Sequence, residues 1–157
     1  MRRSGGFTLI ELVVTLALVG LMAYIATPLY EVTMTRVREA ELRSALRQIR
    51  VAIDAYKTAA DSGVIAKRAT ETGYPGSLEV LVKGVERLHD VRGGRVVFLR
   101  QLPRDPFSPD PAAPAARHWE TRSYGSAVDD PQPGVDVFDV TSRSSRIGLN
   151  GIPYREW

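Results

Sequence analysis

Apolar positions divide the chain into three stretches with different periods. Residues 7–29 read FTLIELVVTLALVGLMAYIATPL, 23 positions with a single charge, Glu11. The run is apolar on all sides and exceeds the roughly 20 residues a helix needs to span a bilayer. From residue 42 the apolar positions become Leu42, Ala45, Leu46, Ile49, Ala52, Ile53 and Tyr56. Steps of three and four predict one helical stripe facing a core. Glu39, Glu41, Arg43, Arg47, Arg50, Asp54 and Lys57 fall on the other faces, with Glu39 and Arg43 spaced as a surface pair. Run and stripe join into one predicted helix over residues 7–60, roughly 80 Å at 1.5 Å per residue. Gly20 and Pro28 are the expected bends.

Beyond residue 60 the helical period is lost. Asp61-Ser62-Gly63 predicts a stop with Gly63 as C-cap. Gly73-Tyr74-Pro75-Gly76 predicts a turn, and Ser77 is the expected cap of a short helix, Leu78–Lys83, closed by Gly84. Val96-Val97-Phe98-Leu99 fits strand or helix equally. Residues 103–116 hold five of the ten prolines, which excludes a regular helix or central strand. Residues 119–124 and 135–141 predict an antiparallel strand pair about a turn at 129–134. Tyr154 and Trp157 are expected to pack back onto the domain. The predicted class is α+β: a long N-terminal helix, apolar over 7–29 and amphipathic over 30–60, with a small antiparallel sheet and irregular loops in 61–157.

Charge then sets topology. Arg2 and Arg3 precede the apolar run, and the positive-inside rule keeps them cytoplasmic, placing the residues after position 29 on the other side of the membrane. With 21 basic and 18 acidic residues the formal charge is +3. Removing residues 1–6 takes away two arginines and leaves +1. Arg36, Arg43, Arg47 and Arg50 approach one helix face, but Glu31, Glu39 and Glu41 lie among them, so no nucleic-acid partner is expected. There is no cysteine, hence no disulfide framework and no thiol chemistry. No G-x-S-x-G, H-E-x-x-H, P-loop or dinucleotide fingerprint occurs, and His89 and His118 lack metal-ligand spacing. No enzymatic activity is expected.

Glu11 is the residue that a plain anchor leaves unexplained. A charge in a span costs roughly 2.5–3.5 kcal/mol on insertion scales, and intramembrane acids mark function. The nearest candidate partner is the amine that a cut after Gly6 would create on Phe7. An ordinary secretory signal places its small residues after the apolar run, whereas here they precede it.

Gly6-Phe7-Thr8-Leu9-Ile10-Glu11 resembles the processing motif of type IV prepilins and type II secretion pseudopilins. The resemblance implies that a prepilin peptidase cuts after Gly6 and methylates Phe7, and that Glu11 with Phe7 sets assembly register. In the second half, Tyr74-Pro75 followed by Ser77-Leu78-Glu79-Val80-Leu81-Val82, then Leu102-Pro103-Arg104-Asp105-Pro106-Phe107, resembles the major pseudopilin family of type II secretion. Asp136-Val137-Phe138-Asp139-Val140 and the run from Gly148 to Trp157 are similar to a pseudopilin-like branch. The implied role is a structural subunit, anchored once in the inner membrane with its C-terminal domain in the periplasm. It would self-associate into a helical filament that pushes folded proteins through an outer-membrane secretin. The implied partners are minor pseudopilins, the peptidase, the inner-membrane assembly platform and a secretion ATPase.

One departure concerns calcium, which many major pseudopilins hold before the C-terminus. The matching loop, residues 142–151, has two arginines and no carboxylate, while calcium takes six to eight oxygen ligands. No cofactor is expected. If calcium binds, Asp129, Asp130, Asp136 and Asp139 are its candidates, and two of these alternate along a predicted strand rather than closing a cage. The rival readings are a type IV pilus subunit for adhesion, motility or DNA uptake, and a signal-anchored periplasmic enzyme or binding module.

Overall fold

The computed structural model describes residues 6–67, 72–90 and 93–157. The elements are helix α1 (Leu9–Asp61), helix α2 (Leu78–Lys83), strands β1 (Val85–Glu86) and β2 (Arg95–Val96), a 3-10 turn (Ala115–His118), strands β3 (Trp119–Arg122) and β4 (Asp139–Ser142), and a last 3-10 turn (Tyr154–Glu156). The class is α+β, with two separate antiparallel strand pairs, β1 with β2 and β3 with β4. The chain forms two compact units that divide between Val37 and Arg38.

The first unit is the N-terminal part of α1. The helix is unbroken at Gly20 and Pro28. Pro28 lacks the amide that would bond the carbonyl one turn earlier. Nearby threonines bond into the helix: the hydroxyls of Thr15, Thr27, Thr33 and Thr35 donate to the carbonyls of Leu12, Ala23, Leu29 and Glu31 at 2.8–2.9 Å. Such back-bonding leaves no free hydroxyl on an apolar surface.

The second unit has a core of its own. The stripe read from sequence is buried: Leu42, Ala45, Leu46, Ile49, Ala52 and Ile53 meet Leu78, Leu81, Phe107, Trp119, Val137, Val140 and Tyr154. α1 ends as expected, with Gly63 at φ 71° and its amide on the Ala60 carbonyl. α2 starts where expected, but Ser77 makes no side-chain cap. Its hydroxyl instead bonds the Glu79 carboxylate, whose pKa is lowered first by Glu79's own amide and then by Ser77. Gly84 closes α2 at φ 72°, and a Cβ there would lie 2.7 Å from the Val96 carbonyl oxygen, so glycine is required. Of residues 96–99 only Val96 is strand. The amides of Phe98 and Leu99 both donate to the Leu81 carbonyl, at 3.0 and 2.9 Å, tying this segment to α2.

β3 pairs with β4 in the register Trp119 to Ser142 through Arg122 to Asp139. The second strand therefore begins four residues later than its β-branched pattern predicts. The cause is Asp136, which turns inward. Its carboxylate accepts from the Thr72 and Ser123 hydroxyls and, at 3.0 Å, from the Tyr124 amide. The neighbouring Val137 amide goes to the Pro75 carbonyl at 2.8 Å. A segment whose donors serve several partners cannot sit in one ladder.

The proline-rich loop is pinned at both ends. The Trp119 indole donates to the Pro103 carbonyl (3.0 Å), and the Arg104 guanidinium donates to the Pro111 carbonyl (2.8 Å). Tyr154 is fully buried, stacked on Phe107 at 4.2 Å and edge-on to Trp157 at 4.9 Å. The terminal aromatics do pack back.

Candidate functional site

The N-terminal helix carries the first candidate site. Thr8 starts α1: its carbonyl accepts the Leu12 amide (3.2 Å) and its hydroxyl accepts the Glu11 amide (3.3 Å). A threonine three residues ahead of a glutamate is the capping-box spacing. Glu11 thus sits in the first helical turn, where the helix dipole favours an anion. Phe7 and every residue of α1 as far as Met34 are exposed. An 18-residue window reaches a mean hydropathy of 2.3 with none of it buried. By length and composition this helix fits a single-pass membrane anchor. A Cβ added at Gly6 or at Gly20 would meet nothing within 4 Å. Neither position needs glycine for the packing of this chain. Arg2 and Arg3 lie outside the described residues.

The second candidate, the C-terminal loop, is organised by charges that the helix pattern assigns to solvent. Glu39 is only 4 % exposed. Its carboxylate accepts the Leu149 amide at 2.6 Å and the Tyr154 hydroxyl at 3.2 Å. Arg43 approaches it to 3.6 Å and lies over the Trp157 ring, 4.4 Å from the centroid. Burial, and then Glu39, raise the Tyr154 pKa. Three turns along α1, Arg50 donates to Asp139 (2.8 Å), to the Val140 carbonyl (3.1 Å) and to the Trp157 main-chain oxygen (2.8 Å). Two side chains of α1 therefore clamp the segment from β4 to Trp157. Sequence spacing marks Glu39 only as a surface partner of Arg43. The partners that bury it lie more than a hundred residues away and leave no local signal.

The four aspartates considered for calcium do not converge. Asp129 and Asp130 are exposed in the turn before Pro131, and Asp130 accepts from Gln132 at 2.7 Å. Asp139 is held by Arg50. Asp136 is spent on three donors: burial opposes its charge, but the hydrogen bonds prevail and lower its pKa. Among the described residues no three acidic, histidine or cysteine side chains are placed to hold a metal ion.

Asp105, His118 and Ser142 do meet, in the order of a joint rather than of a nucleophile and its base. The Ser142 hydroxyl donates to Asp105, not to the histidine. His118 accepts the Asp105 amide on Nδ1 (3.3 Å), which leaves the proton on Nε2 for the Ala113 carbonyl (3.1 Å). All three are buried. Their partners fix the proline loop to β4.

An N-terminal helix segment that is apolar and exposed, with one carboxylate in its first turn, fits the single-pass membrane anchor typical of pilins. Residues 1–27 match the family model of the prokaryotic N-terminal methylation motif, which type IV pilins and pseudopilins share. No match was found among curated proteins or solved structures.

Proposed function

We propose that this chain is a subunit of a type II secretion pseudopilus. In this reading a prepilin peptidase removes residues 1–6 and methylates Phe7. The subunit waits in the inner membrane with its second unit in the periplasm. It then adds to a filament whose core is a bundle of α1 helices, with Glu11 against the Phe7 amine of a neighbouring copy. The assembly platform, the secretion ATPase, minor pseudopilins and the outer-membrane secretin are the partners, and the chain itself does no bond chemistry.

The observation that carries this reading is a coincidence at fixed spacing. The methylation motif covers residues 1–27, and the helix inside it is left without any covering surface. Apolar area of this extent needs lipid first and protein neighbours later. Support for secretion over a surface pilus comes from the segments resembling pseudopilins. Pro75, Pro103 and Asp105 are joints here, each accepting a hydrogen bond that fixes a loop to β3, β4 or the core. The test is mass spectrometry of the protein extracted from membranes of cells that hold the peptidase. Loss of residues 1–6 with one added methyl on Phe7 is expected. An intact N-terminus would overturn the assignment.

A further inference from the structure

One groove and one loop of the second unit match each other but do not meet within the chain. The groove, about 480 Å³, runs between α1 and the C-terminal turn. Its floor and rim include Arg43, Arg47, Val51, Ile152 and Trp157. Val51 is 61 % exposed, although it lies on a helix that packs a core. Arg50, at the same groove, is already taken by Asp139. Among the described residues Arg47 makes no ion pair, and Arg43 keeps half of its side chain in solvent. Of the acids on the margin, Glu156 faces Arg155 at 4.0 Å, and Asp54 lies about two helical turns beyond Arg47. The groove thus offers an apolar strip beside Arg47, which has no ion pair among the described residues, and the half-exposed Arg43, which also leans on Glu39 and Trp157.

The loop at residues 128–135 has the opposite character. Val128 is 79 % and Val135 is 90 % exposed. Asp129 and Asp130 stand between them, and neither meets a basic side chain among the described residues. Pro131 and Pro133 stiffen the segment, and the Gln132 carbonyl accepting the Ser123 amide (3.0 Å) fixes its base. Two valines in water beside two carboxylates with no basic partner among the described residues suit an apolar strip beside Arg47 and the exposed half of Arg43.

We infer that the 128–135 loop of one copy docks in the Arg43–Arg47 groove of the next, with Asp129 and Asp130 against the arginines and the valines against Val51, Ile152 and Trp157. The two surfaces are offset along α1. The loop's base lies by Tyr124, which stacks on Tyr74 at 5.5 Å, and Lys57 sits over that ring. The groove lies on earlier turns of the same helix. A contact between different, offset surfaces is heterologous, so it passes from copy to copy and, where the rotation does not close a ring, builds an open filament. This inference rests on the filament reading above and names one subunit contact within it.

The absence of cysteine makes the test direct. Arg47→Cys and Asp129→Cys are placed together in the full chain and expressed with the peptidase and assembly proteins. Oxidation of sheared filaments should give a ladder of cross-linked copies, while each single variant gives none. Separately, Arg47→Glu should cut sheared filament about tenfold through like-charge contact. Adding Asp129→Arg should restore it. Both side chains are exposed, so the domain should melt as wild type. Wild-type filaments without a ladder, with Arg47→Glu at full yield, would overturn the contact and leave the filament reading standing. A ladder to a different protein would do the same. A processed wild type that never polymerises would overturn the filament reading and this contact with it.

Discussion

Glu39→Ala should be among the most destabilising single changes in the second unit. The substitution removes the acceptor of the Leu149 amide (2.6 Å) and the Tyr154 hydroxyl (3.2 Å). Tyr154 is fully buried, so water cannot replace the carboxylate there. A buried donor left without a partner costs about 1–3 kcal/mol. The buried Tyr154 hydroxyl and the part-buried Leu149 amide together give about 3 kcal/mol, and the half-exposed Arg43 adds only a few tenths. For the unit Arg38–Trp157 the unfolding entropy is roughly 0.25 kcal/mol per degree, so Tm should fall by about 12 °C. Glu39→Gln keeps an oxygen for both donors and should lose about 1 kcal/mol, or about 4 °C. The assay is thermal unfolding of the detergent-extracted chain by near-ultraviolet circular dichroism, which reads Tyr154 and Trp157. The same melts are run in calcium and in chelator, and should coincide. A loss under about 3 °C for Glu39→Ala would refute the clamp. A calcium-dependent rise would mean that Asp129, Asp130, Asp136 or Asp139 gather an ion after all.

Three further outcomes are expected. Gly6→Val should leave uncut precursor in the membrane, because no described side chain crowds Gly6 and the peptidase is then the source of the constraint; efficient trimming, read by immunoblot, would count against cleavage there. Glu11→Leu should insert at least as well as wild type, relieved of the cost of an acid within the span, yet polymerise poorly; wild-type yield of sheared filament would remove the role given to the carboxylate. Asp136 has a folded pKa below its ordinary 3.8, so its stabilisation is complete above that value and is lost as pH falls through the folded pKa. Asp136→Asn should therefore be less stable than wild type at pH 7 and lose less between pH 5 and pH 2; parallel acid-unfolding curves for the two would contradict this.

Periodicity carried most of the fold and little of the joints. The stripe from Leu42 to Ile53 is buried as its spacing predicts, because steps of three and four leave a helix only one face to bury. α2 follows from its flanking turn residues, and β3 begins at Trp119 as read but ends at Arg122, two residues before Tyr124. What could not be read are polar residues whose partners are remote. Glu39 looks like half of a surface pair until residues 149 and 154 fold over it. Asp136 sits in a strand-like run and breaks it, since its carboxylate finds Thr72 and Ser123. Asp105, His118 and Ser142 carry no shared spacing. Propensity describes local backbone, and these side chains are decided by tertiary hydrogen bonds. For the N-terminal site the balance reverses. Gly6, Phe7 and Glu11 were legible as a motif, while the single chain places nothing against them.

The energetics of Glu11 bear on why that emptiness matters. Within one copy the residue has a local role. Thr8 caps the helix through the Glu11 amide, worth about 1 kcal/mol, but any residue at position 11 supplies that amide. The carboxylate itself gains about 0.3–1 kcal/mol from the N-terminal end of the helix dipole. A carboxylate at the centre of a span costs roughly 2.5–3.5 kcal/mol, and less in the first turn where Glu11 stands. A net cost of burying its charge in the span remains for an isolated subunit. Gly20 adds about 1 kcal/mol of helix destabilisation, again with nothing in the chain packed against it. Both penalties fall on the same exposed helix. In the filament reading proposed above, a neighbouring copy with a free Phe7 amine and a helix able to approach closely at Gly20 would supply both terms.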